Sequence, residues 1–182
     1  MFWARGGYTP TLELLKRCLR RLKPGSLPPP GPSQERDRKF GSSRVRRVWL
    51  LLAILDLMLW YGILLRWRVF FGATVLADRY LEDTALDFRR NFPSESFERW
   101  FSWRLLRWLS PKPEQRFLLI VPPAESARRG LQKNEPFPDS PETLEFRHRA
   151  YCQMAEQDGW FVIDCLQSVD TVHQAIWARL QS

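Results

Sequence analysis

Three times along the chain a short apolar run stops at a polar or proline break, and a stretch of helical periodicity follows. Thr74 to Ala77, bounded by Gly72 before and by Asp78-Arg79-Tyr80 after, has the length of a short buried strand. Arg116 to Val121, closed by Pro122-Pro123, predicts a second buried strand, and Trp160 to Cys165 a third. The helical stretches are Ser96 to Leu109, Glu125 to Gln132, Pro141 to Glu156 with Asp139 or Ser140 placed to cap it, and a final helix carrying Val169, Val172, Ile176, Trp177 and Leu180. Ahead of them, Phe2 to Ala4 reads as the end of a strand. Thr11 to Leu22 reads as a basic amphipathic helix with Leu12, Leu15, Leu19 and Leu22 on one face. Strand followed by helix, repeated, predicts an α/β domain with a parallel sheet, and no shorter internal repeat is present.

Two segments break this rhythm. Residues 24–42 begin with the proline-rich run Pro24 to Pro32, which is loop or stiff linker because proline fixes φ and has no amide donor. A polyproline ligand for a partner domain is the functional alternative. Residues 43–68 form a long apolar helix in which Val48 to Leu65 carries one charge, Asp56. It has the length of a membrane span, with Asp56 near its centre costing about 2.5–3.5 kcal/mol on an insertion scale. Arginines flank both ends, Arg44, Arg46 and Arg47 before and Arg66 and Arg68 after, so charge assigns no orientation. A helix apolar all round is equally the pattern of a buried core helix.

Charge and cysteines narrow the picture. The net charge of +8 sits in the first third: residues 1–68 hold fourteen Lys/Arg against four Asp/Glu, and residues 69–182 fourteen against sixteen. Such a field suits nucleotide phosphates, nucleic acid or an anionic membrane, or is simply a solvated surface. A hydrophobic content of 45% over 182 residues is enough for one domain with a core and excludes a disordered composition. Cys18, Cys152 and Cys165 are odd in number and form no C-x-x-C pair, which implies a reducing, cytoplasmic setting and excludes a disulfide framework or structural zinc site. With His148 and His173 they allow a Cys-His nucleophile in principle. The first thirty residues lack the apolar region of a signal peptide.

The chemistry gathers in Gly72 to Phe88, GATVLADRYLEDTALDF. In an open parallel sheet, ligands bind beyond the carboxyl ends of the strands, and Asp78 and Arg79 stand at such an end. The pattern G-x-x-V-x-x-D-R-Y resembles the substrate-phosphate segment of thymidylate kinases. Two more segments match in order. Arg5-Gly6-Gly7-Tyr8-Thr9-Pro10 is similar to that family's Arg and Gly-Gly-Thr loop after its second strand. Arg128-Arg129 through Phe137, with Phe146-Arg147-His148-Arg149-Ala150-Tyr151, resembles its lid and the helix that follows. The similarity spans nearly the whole chain at low identity and is nearest to the divergent thymidylate kinase-like subgroup.

The resemblance implies a three-layer, parallel-sheet P-loop kinase fold across residues 1–182, with a lid at 123–140. It implies an ATP- and magnesium-dependent kinase acting on a nucleotide or nucleoside monophosphate, with no nucleic-acid partner. Arg79 would hold the acceptor phosphate, Asp78 would support the metal or substrate side, and Arg5 with Gly6 and Gly7 would add contacts to the same phosphate. Thr84 and Asp87 would reach sugar or base, and Arg128, Arg129 and Lys133 would close over the donor phosphates. Asp78-Arg79 as a mere ion pair capping a strand, and Arg128 and Arg129 as a solvated helix face, are the structural alternatives.

Two features depart from the family. Asp56 and Leu57 stand where it has a nucleotide-contacting arginine, so thymine specificity is not carried over. The phosphate-cradling G-x-x-x-x-G-K-S/T is absent, since the sequence contains no Gly-Lys pair. In the family that loop follows a strand at the centre of the sheet, between the strands matched here by the Asp78-Arg79 segment and by Arg116 to Val121. The expectation is therefore a kinase-like domain missing its first, central strand and P-loop, and inactive as it stands. The contrasting expectation is a small basic membrane protein with residues 48–65 as its membrane helix. Homo-oligomerisation is left open.

Overall fold

The computed structural model describes residues 2–3, 9–22, 34, 38, 40–133 and 138–181. The Arg5-Gly6-Gly7 loop, the proline-rich run and part of the lid-like segment lie outside them. The chain divides into two compact units, Met1–Lys112 and Pro113–Ser182.

The first unit is built on one helix. After β1 (Phe2–Trp3) and α1 (Pro10–Leu22) comes α2 (Ser43–Phe70), whose stretch Met58–Leu65 is π-helical. On one side of α2, Leu50, Ala53, Ile54, Leu57, Tyr61 and Leu65 are buried. Within the π-helical stretch the buried side continues through Tyr61, Gly62 and Leu65. The apolar side chains of this side meet Leu81, Ala85 and Phe88 of α3 (Leu81–Asn91), Phe92, Phe97 of a short 3₁₀ turn (Phe97–Arg99), and Trp103 and Leu106 of α4 (Phe101–Leu109). Edge-to-face aromatic pairs hold this core, Phe88 with Phe97 at 5.3 Å and Phe97 with Trp103 at 5.0 Å. Buried Glu95 accepts from Arg46 Nε at 3.1 Å and Arg47 Nε at 3.0 Å, tying the start of α2 to the turn before the 3₁₀ segment. The expected helix from Ser96 to Leu109 is thus broken at Trp100, whose backbone is extended.

β2 (Ala77–Asp78) pairs in parallel with β1, Phe2 opposite Ala77 and Trp3 opposite Asp78. The expected buried strand Thr74 to Ala77 is corrected to two residues, and both are exposed. Thr74 and Leu76 are exposed as well, while Val75 between them packs against the core.

The second unit carries its own parallel pair, β3 (Phe117–Ile120) and β4 (Phe161–Asp164), matched residue for residue from Phe117 opposite Phe161 to Ile120 opposite Asp164. The crossover holds α5 (Pro123–Gln132) and α6 (Pro141–Ala155), and α7 (Val169–Gln181) follows β4. Ser140 caps α6, accepting from Thr143 N at 3.3 Å, and Ser168 accepts from Thr171 N at 3.2 Å ahead of α7. The two strands expected to be buried bury one residue each, Leu118 and Ile163; on the last helix Val172 and Ile176 are half-buried, whereas Val169, Trp177 and Leu180 are exposed. Among the described residues the strands form two separate two-stranded parallel sheets.

Candidate acceptor-phosphate site

The register of Trp3 with Asp78 brings the carboxyl ends of β1 and β2 together. The chain then turns at Arg79, which adopts a left-handed backbone, φ 65°. For a residue with a Cβ this costs about 1–2 kcal/mol. The next residue is firmly held. Tyr80 OH donates to the Pro111 carbonyl at 2.8 Å, its ring meets Tyr61 edge-on at 4.7 Å, and its backbone N–H donates to Asp83 Oδ2 at 3.3 Å at the start of α3. Burial pushes the Tyr80 hydroxyl up to about 12.

Arg79 is half-buried, and among the described residues it makes no hydrogen bond or ion pair. Every other half-buried arginine described has an acceptor: Arg46 bonds Glu95, Arg116 the Asp158 carbonyl, Arg129 Glu125, and Arg147 Asp139. The expected alternative, an Asp78–Arg79 ion pair, does not form. Asp78 is exposed at the strand end. Thr84 and Asp87 are on the buried side of α3, 2% and 8% exposed, so in this structure they are shielded from solvent.

The lid-like cations behave differently. Arg128 grips Glu125 with both arms, Nε to Oε2 and Nη2 to Oε1 at 2.7 Å each. Arg129 Nε donates to Glu125 Oε1 at 2.6 Å and Nη2 to the Cys165 carbonyl at 2.8 Å. The Arg128 and Arg129 bonds hold the Glu125 carboxyl down at about 2. One carboxylate therefore neutralises half of this cationic pair, while Lys133 is exposed at the end of α5. Burial pushes the Cys165 thiol up, away from thiolate chemistry. Cys152 Sγ lies 3.8 Å and 3.9 Å from the two ring nitrogens of His148, a side-on contact rather than a hydrogen bond aimed at one nitrogen.

Among the described residues no three His, Cys, Asp or Glu side chains converge as a metal site. Asp78 offers a single carboxylate, which fits a magnesium ion held mainly by phosphate oxygens and water. The donor triphosphate has no such fit, because the sequence contains no Gly-Lys pair to build a cradle.

The sequence reading missed one constellation. Asp56 accepts from both threonine hydroxyls at the start of α1, Thr9 through Oδ2 and Thr11 through Oδ1. Trp60 Nε1 donates to Thr11 Oγ1 at 2.8 Å, and Thr9 Oγ1 caps α1 by accepting from Leu12 N at 3.3 Å. Asp56 is thus the post to which α1, and the end of the Gly-Gly loop before it, is tied. Thr9-Pro10-Thr11 ahead of a helical period was the available signal, being an N-cap pattern in search of an acceptor. No family model matches the chain, and no curated protein matches it.

Proposed function

We propose that the chain is the acceptor-binding part of a thymidylate kinase-like nucleotide kinase, in which Arg79 holds the phosphate of a nucleoside monophosphate. The observation that carries this reading is the half-buried, unpaired Arg79 at the carboxyl end of a parallel strand pair. Its guanidinium is open to solvent and engaged by no described protein group, so a phosphate could take it bidentately. Asp78, beside it, is placed for a metal that bridges phosphates. Without a donor cradle these residues bind and orient the acceptor and do not transfer phosphate.

The test is calorimetric titration of the chain with thymidine monophosphate, inorganic phosphate and thymidine. Binding that needs the phosphate and weakens roughly tenfold to hundredfold in Arg79→Ala is expected, the loss of a charge-assisted contact. Binding of thymidine as tight as of its monophosphate, or no effect of Arg79→Ala, refutes the assignment.

A further inference from the structure

We propose that the solvent side of α2 is a docking face for an anionic lipid surface, with the helix lying in the plane of the membrane. This is independent of the kinase reading. Opposite its buried side, α2 exposes Val48, Leu51, Leu55, Leu59, Ile63 and Trp67, three or four residues apart. The stripe runs roughly 30 Å at a rise of about 1.5 Å per residue. At its end Trp67, Phe70 and Phe71 cluster, Trp67 to Phe71 at 4.9 Å and Phe70 to Phe71 at 5.4 Å, with Phe70 82% exposed. Aromatics raised from a surface beside arginine are the composition of a lipid interface. The adjoining α4 repeats it, exposing Phe101 and Trp108 among Arg104 and Arg107.

Charge selects the occupant. The acid on α2, Asp56, is bonded to Thr9 and Thr11, while Arg44 and Arg66 stand exposed toward the two ends of the stripe. Two copies pairing through this face would bring arginine against arginine, whether the helices ran parallel or antiparallel. Anionic headgroups supply the opposite sign and accept the apolar stripe at once. Crossing the bilayer is disfavoured by the other side of the same helix. There Leu50, Ile54, Leu57 and Tyr61 are committed to the core, and Asp56 holds α1 at mid-length.

The experiment is flotation of the purified chain with vesicles of phosphatidylcholine alone or mixed with phosphatidylglycerol, alongside sedimentation equilibrium without lipid. Flotation with the anionic vesicles, released by high salt and by carbonate, is expected. The triple variant Leu55→Gln/Leu59→Gln/Ile63→Gln should bind at least about tenfold more weakly, given the apolar area withheld from lipid. The pair Arg44→Gln/Arg66→Gln, which leaves the apolar core untouched, should lose about fivefold per arginine. Circular dichroism confirms that each variant is folded. The proposal is overturned by a chain that stays in solution with every vesicle, or by carbonate-resistant insertion. It is equally overturned by flotation unchanged in both variants, or by a dimer that the triple variant dissociates while vesicles bind nothing.

Discussion

Replacing Asp56 with alanine removes the acceptor shared by Thr9 and Thr11 and should be the most damaging polar substitution in the first unit. Thr9 is fully buried, so its hydroxyl loses a partner that water cannot readily replace. A hydrogen bond to a charged group contributes about 1.5–3 kcal/mol. The two here share one half-buried carboxylate and do not add in full, so a loss of about 3 kcal/mol is expected. The negative charge beside the first turn of α1 contributes within that figure through the helix dipole. Asp56→Asn keeps an acceptor but gives up the charge and one oxygen, and should cost about 1 kcal/mol, the size of an ordinary hydrogen bond. Urea unfolding at neutral pH, followed by tryptophan fluorescence and far-UV circular dichroism, measures both. Combining Asp56→Asn with Thr11→Val then gives the coupling directly, and a non-additive sum is expected. Asp56→Ala within about 0.5 kcal/mol of the parent, the range of an ordinary surface substitution, would refute the anchoring role.

Gly62→Val should destabilise by about 1–3 kcal/mol, because a Cβ at position 62 already lies 3.0 Å from Leu109 Cβ and valine adds two methyl groups; urea midpoints check it. Arg79→Gly relieves the left-handed backbone and should leave stability equal or up to about 1 kcal/mol higher while phosphate binding falls, which separates strain from function in one variant. Glu125, held at about 2 against an ordinary 4.5, contributes stability that is complete above pH 4.5 and lost as pH falls toward 2. Hydrogen exchange in α5 should therefore rise across that window, and Glu125→Gln should flatten the dependence.

How much was legible depended on whether the partners were local. The strands at Phe117–Ile120 and Phe161–Asp164 fall within one residue of the expected limits at each end, because each is an apolar run closed by proline or polar breaks. Thr74 to Ala77 has the same local appearance, but of its four side chains Val75 alone packs against the core, and composition cannot show that. The break at Trp100 arises because Phe97 and Trp103 must both reach Phe88, at 5.3 Å and 5.9 Å, a demand of the core rather than of the segment. Asp56 looked like a pure cost in an apolar helix. Its partners lie 47 and 45 residues away, beyond any window of periodicity.

Arg79 adopts a left-handed backbone that a glycine would take without the penalty, and its guanidinium is left open to solvent with no acceptor among the described residues. Strain of this kind persists where the side chain is needed, and Tyr80, fixed to Pro111 and Tyr61, supplies the rigid neighbour that holds it. Arg128 and Arg129 show the opposite economy: both are bonded to Glu125, and an anionic ligand would have to compete with that carboxylate for them. Phosphate affinity in these residues should therefore follow Arg79 and be little changed by Arg128→Ala.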